Sequence, residues 1–150
     1  MKVYRICLEK WANQLTASGF PARWNSKGKY VLYTAGTRAL ACLENVVHRN
    51  GEGLNGNFKV MIIELPDDIL IKEIKAENLP NNWIDFKAYS DCQEIGDQWV
   101  ESNESMVLKV PSAIIQREYN YLLNTNHSQM SQVKLLAVED FKFDSRLKAN

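Results

Sequence analysis

Residues 58–65, Phe-Lys-Val-Met-Ile-Ile-Glu-Leu, constrain the fold of this chain more than any other stretch. The segment is strongly apolar, falls well short of the ~20 residues that span a bilayer, and is stopped by Pro66, which cannot donate to a sheet ladder. It reads as a strand. Residues 3–8 have the length and β-branched content of another, and residues 30–34 form one after the Lys27-Gly28-Lys29 turn. Residues 69–74 predict a further short strand, 106–110 one that ends at Pro111, and 134–143 a last one. Helical patterns are fewer. From Thr37, a fair N-cap, to His48, the residues Leu40, Leu43 and Val47 form a stripe and Gly51 supplies the stop, within a polar loop over 50–57. Ser90 with Gln93 reads as a capping box opening a helix through Trp99, a pattern that Gly96 weakens. Strands outnumber helices without alternating regularly with them. This predicts an α+β fold: a single compact domain over residues 1–150 with mixed β-sheets and flanking helices.

The bulk properties narrow the class. A chain of 150 residues fits one domain able to bury roughly two-thirds of its unfolded surface. With 45% hydrophobic and 24% charged residues it reads as an ordinary globular protein with no membrane span. Lys2 and Arg5 interrupt what would be the apolar core of a signal peptide, which predicts a cytoplasmic protein. Cys7, Cys42 and Cys92 lack the spacing of metal or redox pairs and read as reduced, mostly buried thiols. The 18 basic residues balance 18 acidic ones and are scattered, which argues against nucleic-acid binding through phosphate neutralisation. A small anionic ligand, needing one or two arginines, stays open.

Within segments built for burial stand Arg23, in Ala22-Arg23-Trp24-Asn25-Ser26, then Glu44, before Asn45-Val46-Val47-His48, and Ser112, after Val110-Pro111. Burying a charge without a partner is costly, so such residues pair with each other or face a pocket. Arg23 reads either as a stacking or ion-pairing neighbour of Trp24, or as a guanidinium fork for a diphosphate. Tyr33 reads as core or as a ring that stacks on a planar heterocycle. Glu44 falls about 40° from Leu40 on the helical wheel, at the edge of the buried face, with His48 one turn on. It either flanks the core or stabilises the cation-like sugar formed when a glycosidic bond breaks. No Gly-x-Ser-x-Gly elbow surrounds Ser112, which leaves a turn serine or a hydrogen-bonding group for ribose or phosphate. His48 and His127 do not form a helical pair, so no metal site is expected. Asn120, Asn124 and His127 read as a polar loop that orders neighbouring backbone.

Taken together, Ala-Arg-Trp-Asn, Val-Leu-Tyr-Thr-Ala, Leu-Ala-Cys-Leu-Glu-Asn-Val-Val-His, Val-Pro-Ser-Ala and Asn-Tyr-Leu-Leu-Asn resemble the RES domain, a family named for its arginine, glutamate and serine. The likeness runs in order from Tyr4-Arg5 to Asp144-Ser145-Arg146-Leu147, nearly the whole chain. It implies a fold similar to ADP-ribosyltransferases such as diphtheria toxin, and the role of toxin in a bacterial toxin–antitoxin pair. It also implies that NAD is consumed as a substrate, by cleavage of the nicotinamide–ribose bond, with no prosthetic group. Carried across, Glu44, Arg23 and Ser112 are the catalytic set, while Arg23, Tyr33, Ser112, Arg5 and His48 match NAD-binding positions. The implied partner is an antitoxin with an Xre-like helix-turn-helix region, which covers the pocket and carries the DNA binding; a homodimer rests on the resemblance alone. The family often has Gly and Pro where this chain has Ala22 and Ser26, and Asn-Pro-x-His-Pro where it has Asn124-Thr125-Asn126-His127-Ser128. Those changes predict two looser loops and no lost catalytic group.

Water, inorganic phosphate or a protein side chain could each capture the ribosyl cation, the last making the chain an ADP-ribosyltransferase that modifies a cellular protein. A different class is a non-catalytic binding module whose Arg-Glu-Ser set is a buried polar network.

Overall fold

The computed structural model describes residues 1–49 and 56–147. Seven strands, β1 (Lys2–Leu8), β2 (Val31–Ala35), β3 (Phe58–Glu64), β4 (Ile71–Glu73), β5 (Val107–Pro111), β6 (Tyr119–Asn124) and β7 (Lys134–Phe141), form one sheet in the order β4-β5-β6-β2-β1-β3-β7. The β4–β5 pair is parallel and the others antiparallel, so the sheet is mixed. Two α-helices accompany it among the described residues, α1 (Arg38–His48) and α2 (Tyr89–Ser102). The α+β expectation holds, with one mixed sheet in place of several.

The apolar run becomes β3, paired on both edges by β1 and β7. Both of its faces are covered, which is why hydrophobic residues need not alternate with polar ones along it. On one face α1 packs over Ile6, Ala35, Phe58 and Val60. Beside it α2 brings Cys92 and Trp99 onto Val31, Leu108, Val110 and Leu122. The opposite face carries Val3, Cys7, Leu32, Met61, Ile63 and Leu123, closed over by Ala12, Ile69, Met106 and Val133 from connecting segments. Trp99, almost fully buried, satisfies its indole by donating Nε1–H to the Ser105 carbonyl and hydroxyl at 3.0 Å each.

Several expectations need correction. Residues 120–124 are not a polar loop but most of β6, an interior strand between β5 and β2. Its asparagines are tolerated because each finds a partner: Asn120 bonds Glu44, and Asn124 Nδ2 donates to Asn103 Oδ1 at 3.2 Å. The strand expected over 69–74 contracts to Ile71–Glu73. The Ser90/Gln93 capping box does not form. α2 begins at Tyr89 with no side-chain cap, and Gln93 Nε2 instead donates to the Ala22 carbonyl at 2.9 Å. On α1 the expected Leu40 does face the sheet, at 1% exposure, but it is joined there by Ala41, Cys42 and Val46, while Val47 points outward at 56% exposure. The polar Asn45 on that side concealed it from a count of apolar residues. Cys7 and Cys92 are buried and Cys42 half-buried, all as free thiols. The expected Gly51 stop and most of the 50–57 loop lie outside the described residues. No helix among the described residues is long and apolar enough to cross a membrane.

Candidate active site

Helix α1 is pinned at both ends, and this sets the position of Glu44. Thr37 caps its start, Oγ1 accepting from the Leu40 N–H at 3.1 Å. Asn45 Nδ2 donates to the Ile6 carbonyl of β1 at 2.8 Å, and Arg49 Nε holds Asn45 Oδ1 at 2.6 Å. The Arg49 guanidinium in turn lies against the rings of both Phe58 and Phe143, 4.0 and 4.1 Å from their centroids. With the helix fixed in this roll, the Glu44 carboxylate sits at the margin of the sheet, its side chain 21% exposed.

Both carboxylate oxygens are engaged. Oε1 accepts from Asn120 Nδ2 at 2.6 Å and from Ser112 Oγ at 3.4 Å, and Oε2 lies 3.1 Å from His48 Nε2. Burial pushes the Glu44 acid upward, but hydrogen bonds from His48 and Asn120, the His48 charge and the Ser112 hydroxyl outweigh it and hold the group below its ordinary value. The carboxylate is therefore ionised, oriented and still reachable from solvent.

Ser112 is 4% exposed. Its N–H donates to the Glu118 carbonyl at 2.8 Å, while Oγ accepts from the N–H groups of Ile114 and Ile115 at 3.1 Å each. The hydroxyl oxygen thus organises the turn after β5 and directs its own hydrogen towards Glu44. That arrangement suits a group that fixes a carboxylate, not a nucleophile.

Arg23 and Tyr33 form a second group. Arg23 donates to the carbonyls of Trp83 at 2.7 Å and Ile84 at 3.0 Å, and its guanidinium lies 5.0 Å from the Tyr89 ring centroid and 5.9 Å from that of Trp83. The Tyr33 hydroxyl accepts from the Trp24 N–H at 3.1 Å and donates to Asn25 Oδ1 at 2.6 Å; burial raises its phenol well above the ordinary value. Asn25, 1% exposed, spends its amide on the carbonyls of Phe20, Ser26 and Lys29. The loop that lacks the family's Gly and Pro is thus knitted from inside. From outside it is held by α2, where Gln93 takes the Ala22 carbonyl and Asp97 Oδ1 accepts from the Ser26 N–H at 2.9 Å.

Strand register relates the two groups. Ala35 lies opposite Asn120 and Tyr33 opposite Leu122, so Tyr33 and Asn120 are diagonal neighbours on the helix-bearing face. Tyr33 and the Glu44 cluster therefore border one strip of sheet. Arg5 does not join them. It alternates with Val3 and Cys7 onto the other face and lies beside the Cys7 thiol. Two shallow concavities, around Glu64–Asp67 with Gln132 and around Gly56–Lys59 with Asp140, lie away from this strip. Sequence reasoning missed Asn120 and Asn25 as working residues. For Asn120 the available signal was the alternation Tyr-x-Tyr across residues 119–121, which marks a strand and sets Asn120 facing the opposite way to both tyrosines.

The fold matches a chain in the crystal structure of the M. tuberculosis MbcT–MbcA toxin–antitoxin complex, with a TM-score of 0.78 over 94% of this chain and 84% of that one, at 17% identity. The RES domain family model matches residues 2–144, and the chain belongs to that family. It is similar to "Prs ADP-ribosylating toxin" of Sphingobium sp. (strain YBL2), 39% identical over 127 residues, 83% of this chain and 79% of the relative. It is also similar to "Toxin Res" of Yersinia enterocolitica, 34% identical over 154 residues, 99% of this chain and 100% of the relative. "Toxin Res" of Photorhabdus laumondii is 33% identical over 98% of this chain and 97% of its own length.

Proposed function

We propose that this chain is the cytoplasmic toxin of a toxin–antitoxin pair and consumes NAD by breaking the nicotinamide–ribose bond. The observation that carries this reading is the Glu44 carboxylate, ionised and held on both oxygens at the margin of an accessible sheet face. Departure of neutral nicotinamide leaves positive charge on the ribose, and an oriented carboxylate stabilises that charge without reorganising during the reaction. Ser112 and His48 hold the carboxylate. Arg23 keeps N–H groups beyond the two given to Trp83 and Ile84, and these grip the diphosphate. The Tyr33 ring borders the nicotinamide; Arg5 stays outside the site. An antitoxin covering the strip beside Glu44 would silence the toxin, and the Xre-like helix-turn-helix partner belongs to this proposal.

The alternative of a binding module with a buried polar network would close Glu44 off from solvent, whereas its side chain is 21% exposed and open to a ligand. A second enzymatic reading, transfer of ADP-ribose to a protein, is favoured by the name of the Sphingobium relative. Purified, partner-free protein is incubated with NAD, with and without inorganic phosphate and with Prs, and the products are identified by mass spectrometry. Nicotinamide release with free ADP-ribose, or its phosphorylated form, supports hydrolysis or phosphorolysis. Label on Prs supports transfer, and intact NAD in every arm sinks both.

A further inference from the structure

We infer that Asn120 is the positioning residue of the Glu44 carboxylate, holding Oε1 from the sheet while His48 holds Oε2 from the helix. The inference rests on the function proposed above and assigns this side chain a task in it. At 2.6 Å the Asn120 contact is the shortest that Glu44 makes, and it joins elements 76 residues apart in sequence. Ser112 donates to the same oxygen only at 3.4 Å, with its Oγ held in place by the two backbone N–H groups of the turn. Asn120 itself is fixed by an interior strand: it lies opposite Ala35 on one side and Val110 on the other. A donor on such a strand cannot drift with the helix, so it defines where Oε1 sits whatever α1 does.

The chemistry of the pair fits the task. An amide donates without carrying charge, so it orients the carboxylate without neutralising the negative charge that the ribosyl cation requires. The groups facing Glu44 are His48 from its own helix, Asn120 from β6 and Ser112 from the turn after β5. Further along, Glu118 accepts from the Thr37 hydroxyl and Arg38 pairs with Glu139, so both side chains are turned to other partners.

The test uses the full chain without its partner, ¹³C-labelled at glutamate, with the Glu44 carboxyl signal assigned by its loss in Glu44→Gln. In Asn120→Leu and in the smaller Asn120→Ala, which both remove the amide without adding charge, the midpoint of that signal should move up from its wild-type position. Turnover of NAD should fall roughly 10²-fold with KM within about threefold, the pattern of a misplaced catalytic group rather than a lost binding contact. An unmoved midpoint, or turnover within about threefold of wild type in folded Asn120→Ala, overturns the inference. Where Asn120→Leu does not fold, Asn120→Ala alone decides. If wild-type protein leaves NAD intact, the proposed function fails instead, and the carboxyl titration still decides whether Asn120 holds Glu44.

Discussion

A methyl group at Gly96 would lie 1.8 Å from the carbonyl oxygen of Trp24, far inside the contact distance of two non-bonded heavy atoms. Helix α2 therefore touches the Arg23-Trp24-Asn25 loop backbone to backbone, and the glycine that weakens the helix is what admits the loop. Gly96→Ala should unfold at lower denaturant, losing about 3 kcal/mol or more, the upper range for overpacking. Equilibrium urea melts measure this. A loss below about 1 kcal/mol would show that the loop seats differently.

Glu44→Gln keeps the shape and one acceptor but removes the charge. Turnover should drop roughly 10²–10³-fold with the fold intact by circular dichroism. Activity within a few-fold of wild type would remove Glu44 from the chemistry.

The same carboxylate couples stability to pH. Its acid is held below the ordinary carboxylate value in the folded state, so the unfolded chain binds the proton more readily. The contribution is present above the unfolded value near 4.5 and is lost as pH falls through the folded value. Wild-type stability should accordingly fall more steeply between about pH 5 and pH 3 than that of Glu44→Gln. Parallel curves from melts across that range would refute the assignment.

Arg23 has two tasks that separate by substitution. Arg23→Lys keeps a cation but cannot serve both the Trp83 and Ile84 carbonyls, so it should cost roughly 1–3 kcal/mol. KM for NAD should rise about tenfold, one lost charge-assisted contact, with a smaller change in kcat. Full stability with raised KM would make the carbonyl contacts incidental.

Tyr33→Phe removes the hydroxyl that joins the Trp24 N–H to Asn25 Oδ1 and leaves the ring. It should destabilise by roughly 1–3 kcal/mol while NAD affinity stays within a few-fold. Lost affinity at unchanged stability would reverse that division.

Much of the sheet was legible because its strands carry their reasons locally. Residues 58–65 are strongly apolar and stop at a proline, and β3 follows them almost residue for residue. Thr37 announced α1 and caps it. β6 was hidden by its two asparagines, whose partners, Glu44 and Asn103, are distant in sequence or outside the strand. The roll of α1 was hidden by Asn45, a polar residue on the sheet-facing side that is satisfied by the Ile6 carbonyl.

By itself the sequence determined the strand-rich α+β class and the resemblance to the family that the comparisons then showed, along with Glu44 at the edge of a helix face. These depend on periodicity, turn chemistry and ordered motifs, all local in the chain. Only the tertiary structure decided that Asn120 reaches Glu44, that Arg5 faces away, and that Arg23 and Tyr33 also hold a loop against α2. Those facts depend on strand register and on which face of a shared sheet each residue takes, and a one-residue slip in register exchanges the faces.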